Sequence, residues 1–265
     1  MARYIIRGGV EGKKRLEVLA RVLWPTASRL LEEAGLTEGM RCLDLGCGGG
    51  DVALQLAALV GTKGLVVGLD MDEVKLDMAQ QSAMRLGLAN VQFRKSNVHD
   101  WMEESQYDCI YSRFLLTHLP DPLSVLQQML RATRTGGIAI VEDIDFSGSF
   151  CHPPCAGFDA YVRLYRSAAA RQEADADIGP KLYGMFLDAG WRNVKVNVIQ
   201  PTFSSGEGKQ LAVLTLTNIA ESLLEENLVT EPELQSAIDE LARFTEDPRT
   251  LMSLPRVFQV WGRRE

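Results

Sequence analysis

The sequence predicts an α/β fold, a mostly parallel sheet with helices on both faces. Three observations predict it. Short apolar runs alternate with stretches of helical spacing along most of the chain. A glycine-rich turn, Gly46-Cys47-Gly48-Gly49-Gly50, follows the first of those runs. An acid, Asp70, ends the second. No repeat at solenoid periods competes with this reading, and 265 residues suit one such domain carrying a small insertion.

The elements follow in order. Residues 12–34 have helical spacing through Leu16, Leu19, Leu23, Leu30 and Leu31, with Gly35 as the stop. Pro25 is expected to break this stretch into two pieces. Residues 41–45 form the first strand and residues 51–60 a helix closed by Gly61. Residues 65–69 form the second strand, residues 72–86 a helix closed by Gly87, and residues 91–95 the third strand. Residues 107–112 form the fourth strand. A helix follows Pro122, with Leu123, Leu126, Met129 and Leu130 on one face. The turn Thr135-Gly136-Gly137 leads into the fifth strand at 138–141. Residues 157–172 and 178–189 read as helices, 194–199 as a sixth strand and 257–261 as a seventh. Between the last two lie about fifty residues of helical spacing. The first part, 209–224, is apolar almost all round, and the second opens on Thr230 with Glu233 three residues on, a capping box.

Composition narrows the function. The net charge of −7 disfavours a protein that grips phosphate backbones, and the basic runs Lys13-Lys14-Arg15 and Arg263-Arg264 are short. The partner expected is a small molecule, with no nucleic acid and no membrane. Five cysteines are an odd number in a long chain, so reduced thiols are expected. The N-terminus has no signal-peptide pattern, and no window nears the roughly 18 apolar residues of a membrane helix. A cytoplasmic location is the expectation. Cys151-His152-Pro153-Pro154-Cys155 carries ligand-type residues, but a zinc site needs about four ligands and no second cluster exists in the sequence, so no metal is expected.

The glycine turn carries the chemistry. Glycines between a strand and a helix let the backbone turn sharply and approach a ligand at the helix N-terminus. A dinucleotide fingerprint starting at Gly46 needs its last glycine at position 51, where Asp51 stands. That carboxylate suits the helix dipole and repels a pyrophosphate. A P-loop is excluded because no Gly-Lys-Ser/Thr follows. A cofactor free of phosphate is the better guest.

The pattern Asp44-x-Gly46-x-Gly48-x-Gly50 resembles the first motif of the class I methyltransferases, which use S-adenosylmethionine. The segment from Tyr107 to Pro122 is similar to the fourth-strand region of the small-molecule branch that includes quinone-biosynthesis enzymes. The likeness covers roughly residues 36–145. It implies a Rossmann-like, seven-stranded sheet of order 3-2-1-4-5-7-6 with the last strand antiparallel. Four regions are expected: an N-terminal helical lid (1–35), a cofactor-binding core (36–204), a helical insertion covering the substrate pocket (205–250), too small to hold a core of its own, and the final strand (251–265).

The resemblance also implies residue roles. Asp44, Gly46 and Gly48 lie under the amino acid and ribose portions of the cofactor. Asp70 accepts from the ribose hydroxyls, Met71 packs on the adenine, and Asn97 and the Val98 N–H meet its edge. Tyr4 folds over the cofactor, and Ser112 stands at the end of the fourth strand among the cofactor contacts. Arg113, His118, Glu142 and Asp143 flank the methyl group. His118 is a candidate to accept the substrate proton and Asp143 to orient the substrate. Plainer roles stand beside these: Asp70 as a helix N-cap, Asn97 as a turn residue, His118 as a structural hydrogen-bonder, Asp143 as an arginine's partner and Tyr4 as part of a packed tail. The D/N-P-P-Y of base amino-methylating enzymes is absent, and Pro154-Cys155 falls after the wrong strand for a cytosine-C5 nucleophile. The expected activity is direct in-line methyl transfer to a small-molecule acceptor. An NAD(P)-dependent oxidoreductase and an inactive cofactor-binding protein are the alternatives.

Overall fold

The computed structural model describes residues 9–265, with side chains from Arg15 onward. Helix α1 (Gly9–Ala34) runs unbroken through Pro25, where the sequence suggested two pieces. Leu23, Ala27, Leu30 and Leu31 are buried on both sides of the proline, so packing holds the helix on one line. Thr26 Oγ1 donates to the Leu23 carbonyl in the turn around it (2.8 Å).

The chain then alternates as its periodicity requires: β1 (Arg41–Leu45), α2 (Asp51–Val60), β2 (Leu65–Asp70), α3 (Glu73–Arg85), β3 (Val91–Lys95), β4 (Tyr107–Arg113), α4 (Pro122–Ala132), β5 (Thr133–Asp145), β6 (Cys151–His152), α5 (Ala156–Arg171), α6 (Leu182–Asp188), β7 (Arg192–Ile199), β8 (Thr202–Phe203), α7 (Leu211–Glu225), α8 (Glu231–Glu246), β9 (Leu251–Ser253) and β10 (Arg256–Arg263). The main sheet has the order β3-β2-β1-β4-β5-β10-β7. Counting its seven strands alone, this is 3-2-1-4-5-7-6. β10 is antiparallel to both its neighbours, and the pairings from β3 to β5 are parallel. This is the Rossmann-like class I methyltransferase fold.

β1, β2, β4 and β5 are covered on both faces, which is why their sequences are nearly continuous apolar runs. Edge strands β3 and β7 are largely exposed and carry polar residues. One sheet face packs on α1 and α2 through Leu31, Val52, Leu56 and Tyr111. The other packs on α4 and α6 through Val125, Met129, Leu182 and Phe186. A third cluster joins α1, α5, α7 and α8 to the ends of β5 and β10. The Thr230–Glu233 capping box starts α8, with the Thr230 N–H donating to Glu233 Oε2 (3.0 Å).

A second sheet, β6-β9-β8, was not legible in the sequence. Its strands are two or three residues long, too short to show a period. It puts Cys151 and His152 to backbone pairing with Met252 and Leu251. No helix among the described residues is long and apolar enough to cross a membrane.

Candidate functional site

Strand order reverses between β1 and β4, and ligands of open α/β sheets settle at the carboxyl ends of the strands beside such a switch. The glycine turn lies there. The N–H groups of Gly46 and Cys47 donate to the Leu69 carbonyl (2.8 and 2.9 Å), tying the turn to the end of β2. Gly46, Gly48 and Gly50 have φ of 76, 52 and 80°, the left-handed region that side chains disfavour. The helix α2 starts immediately after, at Asp51.

Asp70 locks this turn from the next strand. Its Oδ2 accepts from the Gly48 N–H (2.8 Å) and its Oδ1 from the Asp72 N–H (2.9 Å). The N-cap of α3 is Asp72, whose carboxylate accepts from Val74 and Lys75 N–H, so the capping role open to Asp70 belongs to its neighbour. A carboxylate has about four acceptor positions. Two of those on Asp70 remain for hydroxyl donors.

A cavity of about 670 Å³ opens over the turn. Asp44, Gly46, Gly48, Asp70 and Met71 line one end. Met71 is 57% exposed beside Asp70, an apolar surface without protein cover. Asp44 is buried, and its Oδ2 has no hydrogen-bond partner among the described residues. Burial raises its pKa to about 7, opposed by the nearby Arg113 cation. The carboxylate also accepts from the Ala53 N–H, so one buried oxygen is left open to a further donor. The Gly48 backbone leaves room as well, since a Cβ there would meet only Leu16 Cδ1, at 3.7 Å. These residues fit S-adenosylmethionine: an acid for the ammonium, a bare backbone beneath the chain, and an acid for the ribose. Asp51 lines the same cavity where the pyrophosphate of NAD(P) would have to rest.

The other end is lined from the helices. Leu16 and Leu19 come from α1, Tyr161 and Tyr165 from α5, and Leu211 and Thr215 from α7. Phe146 stacks on Tyr165 (centroids 3.9 Å apart, 8° between planes) and meets Tyr161 edge-on at 5.7 Å. Arg15 Nε donates to Thr215 Oγ1 (2.8 Å) at the edge of this wall. Sequence reasoning missed Arg15, Tyr161 and Thr215 as site residues. Helical spacing marks their faces as buried, but nothing local says which cavity they meet.

The remaining candidates are placed as follows. His118 lines the cavity. Burial, then the Arg15 and Lys75 cations, lower its pKa to about 3, so the imidazole is neutral. Asp143 is fully buried beneath it and does not line the cavity. Its oxygens accept from the N–H groups of Thr117 (3.0 Å) and Ile144 (2.9 Å), which fixes the turn that carries His118. No arginine pairs with it among the described residues. Ser112 is buried, and its hydroxyl donates to the Leu45 carbonyl (2.9 Å), linking β4 to β1. Asn97 takes the turn role, with Oδ1 accepting from the His99 N–H (3.1 Å). Val98 packs against the α4 side of the sheet. Asn97, Val98 and Ser112 are not among the residues lining the cavity. Tyr4 lies outside the described residues.

Known proteins resemble this chain. The family described as a methyltransferase domain matches residues 36–190. A demethylmenaquinone methyltransferase of Geobacillus kaustophilus is 33% identical over 112 residues, which is 42% of this chain and 48% of that protein. A ubiquinone biosynthesis O-methyltransferase of Paracidovorax citrulli is 37% identical over 102 residues, 38% of this chain and 42% of that protein. The chain thus spans about half the length of the curated relatives it matches. In structure it is similar to a SAM-dependent methyltransferase from Aquifex aeolicus, with a TM-score of 0.50 and 26% identity over 65% of this chain and 81% of that one.

Proposed function

The chain belongs to the methyltransferase-domain family, and on that premise we propose that it transfers a methyl group from S-adenosylmethionine to a small, apolar, planar acceptor bearing an acidic hydroxyl or enol. One observation carries the reading. A single cavity joins the acid-and-glycine end, built from Asp44, Gly46, Gly48 and Asp70, to an aromatic end built from Phe146, Tyr161 and Tyr165.

S-adenosylmethionine supplies a methyl group already activated on a sulfonium. The chain's own task is to align the nucleophile and exclude water. The four acids lining the cavity, Asp44, Asp51, Asp70 and Asp72, come from β1, α2, β2 and the cap of α3. The aromatic end is edged instead by Arg15, which donates to Thr215 and acts on both Tyr161 and His118. That end favours an anionic or hydrogen-bonding acceptor over an ammonium. A neutral imidazole can hydrogen-bond a phenolic oxygen. With a pKa near 3 it is too weak to hold a proton taken from an amine. Names of the relatives point the same way, since both concern quinone biosynthesis. We assign the roof over the acceptor to α1 and to residues 205–250, because Leu16, Leu19, Leu211 and Thr215 line the cavity from there.

The test is S-adenosylhomocysteine production by the purified protein with S-adenosylmethionine and a panel of phenols, hydroxyquinones and amines of similar size. Turnover with the acidic hydroxyl compounds is expected. Methylation of the amines alone would overturn the acceptor class, and failure to bind S-adenosylhomocysteine would overturn the cofactor.

A further inference from the structure

Helix α1 brings two successive side chains to different parts of the cavity. Leu16 covers the glycine turn, its Cδ1 lying 3.7 Å from where a Cβ on Gly48 would stand. Successive residues of a helix diverge by about 100°. Arg15 accordingly reaches α7, where its Nε donates to Thr215 Oγ1 (2.8 Å). The Thr215 hydroxyl gives its own proton to the Leu211 carbonyl (2.6 Å), one turn earlier in the same helix. Thr215 is thus held as an acceptor, and it fixes the guanidinium by one edge. Arg15, Leu211 and Thr215 all line the cavity.

This cation differs from the other two that line the cavity. Lys75 pairs with Asp72 (3.5 Å), and Arg113 acts on Asp44. Arg15 forms no ion pair with a carboxylate among the described residues. The acids that line the cavity belong to the glycine end. The groups on which the Arg15 cation acts are instead His118 and Tyr161, an imidazole and a phenol that stay uncharged. A guanidinium carries five N–H donors in one plane. Thr215 takes the one on Nε, which leaves the outer fork of Nη1 and Nη2. A half-buried cation at the apolar end of a cavity, with no counter-ion, is costly. A ligand that carries a carboxylate relieves it.

We propose that the acceptor is an aromatic carboxylate, its ring lying against Phe146, Tyr161 and Tyr165 and its carboxylate anchored on Arg15, with Thr215 as the positioning residue that orients the arginine. This rests on the methyl-transfer reading above and adds to it a second, charged handle on the substrate, apart from the oxygen that takes the methyl. Arg15 suits the task because its planar fork matches a carboxylate with two parallel hydrogen bonds and stays charged in a dry site. The wall beside it suits a flat ring, since Phe146, Tyr161 and Tyr165 already meet one another in stacked and edge-on contacts.

The test is calorimetric titration of the full chain, saturated with S-adenosylhomocysteine, with 3,4-dihydroxybenzoate and 1,4-dihydroxy-2-naphthoate, each beside its methyl ester. The wild-type protein is expected to bind at least one acid roughly 10- to 100-fold more tightly than its ester. Arg15→Gln is expected to bring that acid within about twofold of the ester, and Arg15→Lys to restore part of the preference by keeping the charge without the fork. Thr215→Val should shrink the preference by weakening the acid and not the ester; a purely structural role would weaken both together. A wild-type preference near unity overturns the anchor, and so does a preference that survives Arg15→Gln. An Arg15→Gln protein that loses S-adenosylhomocysteine by the same factor as the acid also overturns it, because the guanidinium would then serve the cofactor. Should Arg15→Gln fail to fold, the wild-type preference and Arg15→Lys decide. Wild-type protein that binds S-adenosylhomocysteine and none of the four probes overturns the aromatic carboxylate. Wild-type protein that does not bind S-adenosylhomocysteine overturns the methyl-transfer reading itself, a result distinct from loss of the preference.

Discussion

Gly50→Ala separates what the glycine turn needs from its backbone and what it needs from its neighbours. Gly50 caps α2 at φ 80° and ψ 8°, left-handed backbone that an L side chain adopts at a cost of about 1–2 kcal/mol. A Cβ there would also stand 2.7 Å from Ala79 Cβ and 2.9 Å from Phe93 Cε1 and Cζ. Ala79 is buried in α3 and cannot retreat, and Phe93 is half-buried on β3, so relief there requires its ring to turn outward. Overpacking of this kind costs about 1–3 kcal/mol, which brings the expected loss to about 2–5 kcal/mol. Gly87→Ala is the reference. Gly87 has φ 68°, and nothing lies within 4 Å of its would-be Cβ, so only the backbone cost of about 1–2 kcal/mol applies. Urea denaturation of the two variants and the wild type measures both. The gap between them, about 1–3 kcal/mol, is the steric share. A Gly50→Ala protein no less stable than Gly87→Ala would refute the reasoning, because the contact with α3 and β3 would then carry no weight.

Three further outcomes are expected. Asp70→Ala removes the acceptor of the Gly48 and Asp72 N–H groups; it should cost about 1–3 kcal/mol in denaturation and weaken S-adenosylhomocysteine by roughly 10- to 100-fold in calorimetry, and unchanged binding would sink its role at the ribose. Burial holds the folded Asp44 carboxyl near 7 against an ordinary 3.8, so the stability it contributes is full below about pH 4 and is lost as pH rises through about 7. An ammonium on the ionised form makes S-adenosylhomocysteine affinity climb through the same window, and calorimetry of Asp44→Asn should show a flat profile where the wild type climbs. His118, depressed from 6.5 to about 3 chiefly by burial, contributes stability present above about pH 6.5 and lost as pH falls toward 3; its ring resonances in NMR should stay those of a neutral imidazole down to about pH 5, and a midpoint near 6.5 would contradict the placement.

How much the sequence disclosed follows from the range of the forces involved. β1, β2, β4 and β5 were legible because strands covered on both faces must be apolar throughout. The turn at Gly46, Gly48 and Gly50 was legible because left-handed backbone restricts the residue type locally. Pro25 misled because proline's local cost was outweighed by tertiary burial of Leu23, Ala27, Leu30 and Leu31. β6, β8 and β9 are too short to carry a period, and their pairing is decided between segments about 50 and 100 residues apart. Ser112 and Asn97 sit where the family pattern puts them, yet their side chains bond to the Leu45 carbonyl and the His99 N–H, choices made by the immediate backbone. Arg113 shows the opposite limit. One arginine at a strand end says nothing of its surroundings until the register with β5 and β10 brings Glu142 and Gln259 alongside.

The acid–base inventory of the cavity bears on the proposed transfer. Asp143 spends its oxygens on the backbone N–H groups of Thr117 and Ile144. His118 is held neutral by burial and by two neighbouring cations. Neither is arranged as a strong base. A sulfonium leaving group needs no protonation, and an acceptor whose hydroxyl or enol is acidic enough to ionise near neutral pH arrives as its own nucleophile, so a strong base is dispensable for such an acceptor. Arg15 then matters through charge. Set against Thr215 and within the field of Tyr161, its cation favours the anionic form of whatever lies between it and the aromatic wall. Under the proposed function, selection of the acceptor by acidity and flatness would rest on Arg15, His118 and Phe146, which line the cavity together.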